Sequence, residues 1–113
     1  MESLALIELS PHWLKRTDDT HFQRVDTIDE ADGVLFLCPL CFLNKGKTGV
    51  GVHSVLCWAP SVPQTTSPTP GRWTMEGTSE ADLTLVAGSS SILLTGPGCG
   101  AHFFIRSGRI EWT

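Results

Sequence analysis

Two pairs of metal-ligating residues constrain this 113-residue chain more than any other feature. Cys38 and Cys41 are separated by two residues, and so are Cys99 and His102. Each pair adjoins an apolar run, and Pro39 or Gly100 within it favours a tight turn. Three thiolates and one imidazole are a usual ligand set for a tetrahedral structural zinc. The spacing therefore predicts one Zn²⁺ ion held by Cys38, Cys41, Cys99 and His102.

A second ligand set, Cys38, Cys41, His53 and Cys57, competes with the first, because its spacing is close to that of short zinc fingers. His53 and Cys57 could share an ion one turn apart on a helix, but their segment is rich in Gly and Val and favours a strand. On a strand, residues four apart are separated by roughly 13 Å. That separation favours the first set and leaves His53 as an outer or surface group and Cys57 as a buried thiol.

Cys38 and Cys41 could alternatively be a redox-active pair of the thioredoxin type, in which the first Cys follows a strand and the pair opens a helix. Residues 42–46 include Asn44 and Gly46 and do not favour a helix. We therefore prefer metal ligation. A set of four protein ligands leaves no open position on the zinc, so we predict a structural ion and no catalytic residues.

Eleven Gly and seven Pro favour short strands and turns. Residues 34–37 and 50–58 are apolar strand candidates, and residues 103–112 predict a β-hairpin that turns at Ser107-Gly108. Residues 4–9 are a further strand candidate, and Ser10-Pro11 predicts a helical turn over 10–16. We predict a single, mainly β domain over 1–113 with a zinc-ribbon-like core and a long inserted β segment. It divides into an N-terminal segment, 1–33, and a β domain, 34–113, with a proline-rich loop at 60–71.

Charge and hydropathy narrow the classes of function. The chain carries 8 basic and 12 acidic residues, a net charge of −4, which argues against nucleic-acid binding. No apolar run is long enough to span a membrane, and no basic segment precedes the apolar residues 4–9. We therefore expect a cytoplasmic protein whose cysteines are thiols or metal ligands. The sequence does not predict an oligomeric state.

Several segments resemble a family of small proteins encoded by phages and prophages, whose members have no established function. The resemblance spans roughly residues 30–113 and is carried by residues 36–42, 53–58, 71–73, 82–85 and 99–108. Many members are catalogued as ammonia monooxygenases. That activity, which belongs to a copper-dependent membrane complex, does not suit this thiolate-rich pattern. A wider bacterial set shares the C-x2-H-F ending and is encoded beside ubiquitin-like conjugation components. The resemblance implies an accessory protein of a phage, one that acts in the host cytoplasm.

We expect this accessory protein to bind a host or virion protein, with counter-defence as one role. Trp58, Trp73 and the proline-rich loop are possible contact points, unless the two indole rings are core residues. A second hypothesis is a zinc-dependent hydrolase, or an enzyme linked to ubiquitin-like conjugation, that uses His53 near the metal. A third is a nucleic-acid-binding zinc ribbon.

Overall fold

The computed structural model describes residues 4–67, 72–86 and 100–112, and the backbone of 92–93. Within these residues, ten strands form three antiparallel sheets, so the predicted mainly β fold is confirmed. The one α-helix of this part is α1, Pro39–Asn44. The strands are β1 (Leu4–Ala5), β2 (His12–Arg16), β3 (Phe22–Val25), β4 (Gly33–Leu37), β5 (Ser54–Trp58), β6 (Thr74–Glu76), β7 (Thr84–Val86), β8 (Ile92–Leu93), β9 (His102–Arg106) and β10 (Arg109–Trp112).

The first sheet has the strand order β1-β10-β9-β8 and contains the predicted terminal hairpin. Ser107 and Gly108 connect β9 to β10, and both have positive φ, 51° and 73°. Two such residues make the turn that matches the right-handed twist of a hairpin. The two-residue turn predicted from the sequence is therefore confirmed.

The second sheet has the order β3-β2-β4-β5 and corrects the prediction for residues 4–16. Of the strand candidate at 4–9, only Leu4–Ala5 is a strand, and it belongs to the first sheet, whereas Leu6–Leu9 is a 3-10 helix. The helical turn predicted over 10–16 is wrong, because His12–Arg16 is strand β2 of the second sheet. Ser10, with φ of 51°, ends the 3-10 helix, and Pro11 does not extend it. β2 lies between β3 and β4 and pairs with both, and these ladders outweigh the local capping signal.

One apolar cluster is shared by the first two sheets and the short β6-β7 sheet. Phe36 of β4 and Phe103 of β9 meet edge to face in it, with ring centroids 6.2 Å apart. Cys38 and Phe42 belong to the same cluster, so the end of β4 and the helix α1 are anchored to the core. The segment before residue 34 takes part as well, through Leu4, Leu6, Leu9 and Trp13.

A smaller cluster of Leu14, Trp58 and Val62 lies under the proline-rich loop, of which residues 60–67 are described. Trp58 is 1% exposed, and its indole Nε1 donates a hydrogen bond to the carbonyl of Ser67 (2.7 Å). Trp58 is therefore a core residue and is not available as a contact point. Trp73 is partly buried and packs against the main cluster.

Candidate metal centre

Cys38, Cys41 and His53 form the one group of potential metal ligands found in the described part of the chain. The two Sγ atoms and one ring nitrogen of His53 all lie within 4.8 Å of one another. A tetrahedral zinc with bonds of about 2.0–2.3 Å holds its ligand atoms roughly 3.5 Å apart. A small contraction would therefore bring all three atoms onto one ion.

The β4–β5 ladder explains why His53 lies beside the two cysteines. Leu37 and Ser54 are the last paired residues of the two strands. One step further, the Cys38 amide donates to the His53 carbonyl (2.9 Å), so the ladder continues for one more hydrogen bond. The register therefore fixes His53 opposite Cys38.

The helix α1 brings Cys41 to the same place. Cys38 is the N-cap of α1, Pro39 is its first residue, and the Cys38 carbonyl accepts the first helical hydrogen bond from Phe42 (2.9 Å). Pro suits this position, because its missing N–H has no helical partner there and its φ is already helical. Residues three apart at the start of a helix lie on one side, so Cys38 and Cys41 face the same point. The prediction that residues 42–46 do not favour a helix was wrong for 42–44, which complete the short helix α1, whereas Lys45 and Gly46 follow it as a turn.

The three side chains differ in their exposure to solvent. Cys38 is buried, Cys41 is partly exposed and His53 is exposed. The site is therefore set into the core on the Cys38 side and reaches solvent on the His53 side. An ion bound here would connect the end of β4, the first turn of α1 and the residue before β5.

Cys57 does not belong to the site. It lies on β5 opposite Val34, and its side chain is 1% exposed. Burial raises the pKa of its thiol well above the ordinary value, so the thiol stays protonated and is a poor ligand. The interpretation of Cys57 as a buried small apolar residue agrees with this position.

The structure brings together two of the four predicted ligands, Cys38 and Cys41. Cys99 lies outside the described residues. His102 is the first residue of β9, is exposed and lies opposite Leu93. It is not a member of the three-residue group. The set Cys38, Cys41, Cys99 and His102 thus stays a prediction.

His53 is the member of the group that the favoured ligand set from the sequence leaves out. The C-x2-C-x11-H spacing is a usable signal for His53, but in the competing set it comes together with Cys57. On a strand, His53 and Cys57 are too far apart to share an ion. In the structure His53 joins Cys38 and Cys41, and Cys57 does not.

Comparison with known proteins gives no relative. No family model, no curated protein and no solved structure matches this chain. The resemblance to phage-encoded proteins therefore stays an expectation. No helix in the described residues is long and apolar enough to cross a membrane.

Proposed function

We propose that this protein binds one zinc ion as a structural element and uses the segment that the ion holds to bind another protein. The proximity of Cys38, Cys41 and His53 carries the proposal. Two thiolates and an imidazole form a soft donor set that suits zinc better than magnesium, calcium or manganese. The group contains no carboxylate, which the harder ions prefer.

The fourth ligand is proposed from the sequence. Cys99 would complete a set of three thiolates and one imidazole, with His53 in the place predicted for His102. Such a set fills the coordination shell of the ion, as in other structural zinc sites. Zinc bound in this way would stabilise the fold and would have no position left for a substrate.

The segment between the ligands supports the binding role. Residues 45–53 connect α1 to β5, with Cys41 in the helix that precedes the segment and His53 at its end. Val50, in the middle, is 81% exposed, more than any other large apolar residue of the described part. Lys45 and Lys47 are its only charged residues, although the chain carries a net charge of −4. An acidic surface with an apolar contact on a host or virion protein would fit this segment.

The metal site is tested first, by elemental analysis and X-ray absorption at the zinc edge of purified protein. We expect one zinc per chain with three sulfur ligands and one nitrogen. Cys99→Ser should lose most of the zinc, and so should His53→Asn, whereas His102→Asn should retain it. Loss of zinc in His102→Asn with retention in His53→Asn would instead establish the ligand set predicted from the sequence.

The binding role is tested by comparing affinity captures from host cells. Wild-type protein, Val50→Asp and Val86→Asp are used as baits. Val86 is 37% exposed on β7, is not part of residues 45–53, and is the matched control. We expect at least one host protein to be retained by the wild type and by Val86→Asp but not by Val50→Asp. Chelation of the metal should release the same protein. Identical captures by all three baits would contradict the role of the segment.

A zinc hydrolase is the second candidate, and the exposure of His53 and Cys41 favours it. Two cysteines and one histidine with a bound water are a known catalytic set. An oxygen in the zinc coordination shell, together with full zinc content in Cys99→Ser, would support hydrolysis over the structural role.

A further inference from the structure

The pair Cys38 and Cys41 has the arrangement of a dithiol that can close to a disulfide. The sulfur atoms lie within 4.8 Å of each other, and the pair follows strand β4 and opens helix α1. This is the context in which redox-active C-x-x-C pairs occur. Cys38 is the N-cap, with φ of −59° and ψ of 122°, and so lies outside the helical turns. Its side chain can approach Cys41 without a break in the interior of a helix.

The two sulfur atoms are not equally accessible. Cys41 is partly exposed, whereas Cys38 is buried. A small oxidant from solvent therefore reaches Cys41 first, and Cys38 is placed behind it to resolve the product. Metal-bound cysteines are thiolates, which are the reactive form of the side chain.

We propose that hydrogen peroxide oxidises Cys41 and Cys38 to a disulfide and that this releases the metal ion. The proposal rests on the proposed zinc site. It makes the site a redox-sensitive element that controls the segment 45–53, because His53 loses its ligand bond when the ion leaves.

The reaction balances in two steps. The Cys41 thiolate attacks peroxide, an S–O bond forms, the O–O bond breaks, and the leaving hydroxide takes a proton from solvent to give water. The Cys38 thiolate then attacks the Cys41 sulfur, the S–S bond forms and the S–O bond breaks. The second hydroxide also takes a proton. Two thiolates are oxidised by two electrons, one peroxide is reduced to two waters, and the ion loses two anionic ligands.

Cys57 is an internal control for this chemistry. It is 1% exposed, and burial raises the pKa of its thiol, so it should not react with peroxide in the folded protein. Removal of this thiol should therefore leave both the oxidation and the metal release unchanged.

The experiment adds hydrogen peroxide to the purified, reduced, zinc-loaded protein in the presence of a chromophoric zinc chelator. Zinc release is followed by absorbance, and the disulfide is mapped by mass spectrometry after the remaining thiols are alkylated in denaturant. We expect one zinc released per disulfide, a Cys38–Cys41 linkage, unmodified Cys57, and rebinding of zinc after reduction. Cys57→Ala should behave like the wild type.

The outcomes separate this proposal from the zinc site on which it rests. Reduced protein that contains no zinc before peroxide is added overturns the site and the release together. Zinc that stays bound while peroxide is in excess overturns the switch alone. Zinc that leaves while the mapped disulfide joins Cys41 to a cysteine other than Cys38, or while Cys41 is over-oxidised without a disulfide, also overturns it.

Discussion

Asp18, in the turn between β2 and β3, is a carboxylate whose environment favours its charged form. Its Oδ1 accepts a hydrogen bond from the Thr20 amide (2.8 Å), and His21 Nδ1 lies 2.8 Å away. The hydrogen bond from the Thr20 amide, followed by the contact with His21, lowers the pKa of Asp18 to about 2. Because the folded-state pKa lies below the unfolded value of about 3.9, this contribution to stability is full above that value. It is lost as the pH falls towards 2.

The expected measurement is an NMR titration in which the Thr20 amide shift changes with a midpoint near pH 2. Asp18→Asn should abolish this titration, because the amide side chain has no proton to gain. A midpoint near pH 4 in the wild type would mean that the turn does not stabilise the charged form.

Arg72 is the residue that fixes the proline-rich loop. Its guanidinium donates hydrogen bonds to three backbone carbonyls, those of Val62 (3.0 Å), Pro63 (2.6 Å) and Thr66 (2.8 Å). A lysine carries the same charge but lacks the planar fork that reaches several acceptors at once. Arg72→Lys should therefore lower the free energy of unfolding by about 1.5–3 kcal/mol, the range for one hydrogen bond to a charged group.

Urea denaturation and limited proteolysis within residues 60–67 measure this effect. Arg24→Lys is the matched control, because Arg24 is exposed on the edge strand β3 and should change stability by less than about 0.5 kcal/mol. Equal stabilities of the two variants would show that the loop is held by other contacts, such as the bond from Trp58 to Ser67.

At the scale of the element, the terminal hairpin is tied to two neighbouring segments through its turn. The Gly108 amide donates to the Leu83 carbonyl, and the Gly108 carbonyl accepts from the Leu6 amide, both at 2.8 Å. A Cβ atom at Gly108 would overlap the carbonyl group of Ala81. Gly46 has the same φ, 73°, but nothing lies within 4 Å of the Cβ position there. A comparison of alanine substitutions at the two glycines therefore distinguishes the cost of the left-handed backbone from the cost of the steric overlap with Ala81.

Gly46→Ala should lower the free energy of unfolding by roughly 1–2 kcal/mol, because its only cost is a side chain in the left-handed conformation. Gly108→Ala should cost at least about 2 kcal/mol more, because the turn must also move away from Ala81. Thermal and urea unfolding of the two variants measure the difference. Similar losses in both would mean that the segment near Ala81 yields without cost.

The sequence predicts an element correctly where the local pattern of residue types favours the same structure as the element's pairing and burial in the fold. Val34 to Leu37 is apolar and β-branched or aromatic in part, and it makes up all of β4 except the first residue, Gly33. The helical turn predicted over residues 10–16 was wrong, because Ser10-Pro11 is a local helix signal whereas β2 is fixed by pairing with strands on both sides. Sheet pairing between segments far apart in sequence leaves no local trace that could have corrected this.

For the molecule as a whole, spacing predicted two of the three residues of the candidate site, and strand register supplied the third. The C-x2-C pattern is local and located Cys38 and Cys41. His53 reaches them only because β5 begins at Ser54 and continues the ladder from Leu37. The sequence predicts a strand there but not its register, so it could not say which of His53 and Cys57 lies at the level of Cys38.

Loss of the metal tests how far the whole fold depends on it. Many small metal domains do not fold without their ion, because metal binding supplies the folding free energy. Here the main cluster connects the sheets through Phe36 and Phe103, and it reaches the site where Cys38 belongs to it and Cys41 packs against it. We expect chelation to unfold residues 38–53 locally and to leave the β9–β10 hairpin protected from hydrogen exchange.

The size of the effect follows from mass action. An ion present at about a thousandfold excess over its dissociation constant stabilises the folded state by ~4 kcal/mol. For a chain of this length that corresponds to a fall in Tm of roughly 10–25 °C on chelation. Hydrogen exchange with and without chelator distinguishes the alternatives. Protection lost uniformly across β4, β5 and the hairpin would mean that the ion holds the entire fold. Loss confined to 38–53 would mean that the core holds itself and that the ion orders the one segment proposed to bind a partner.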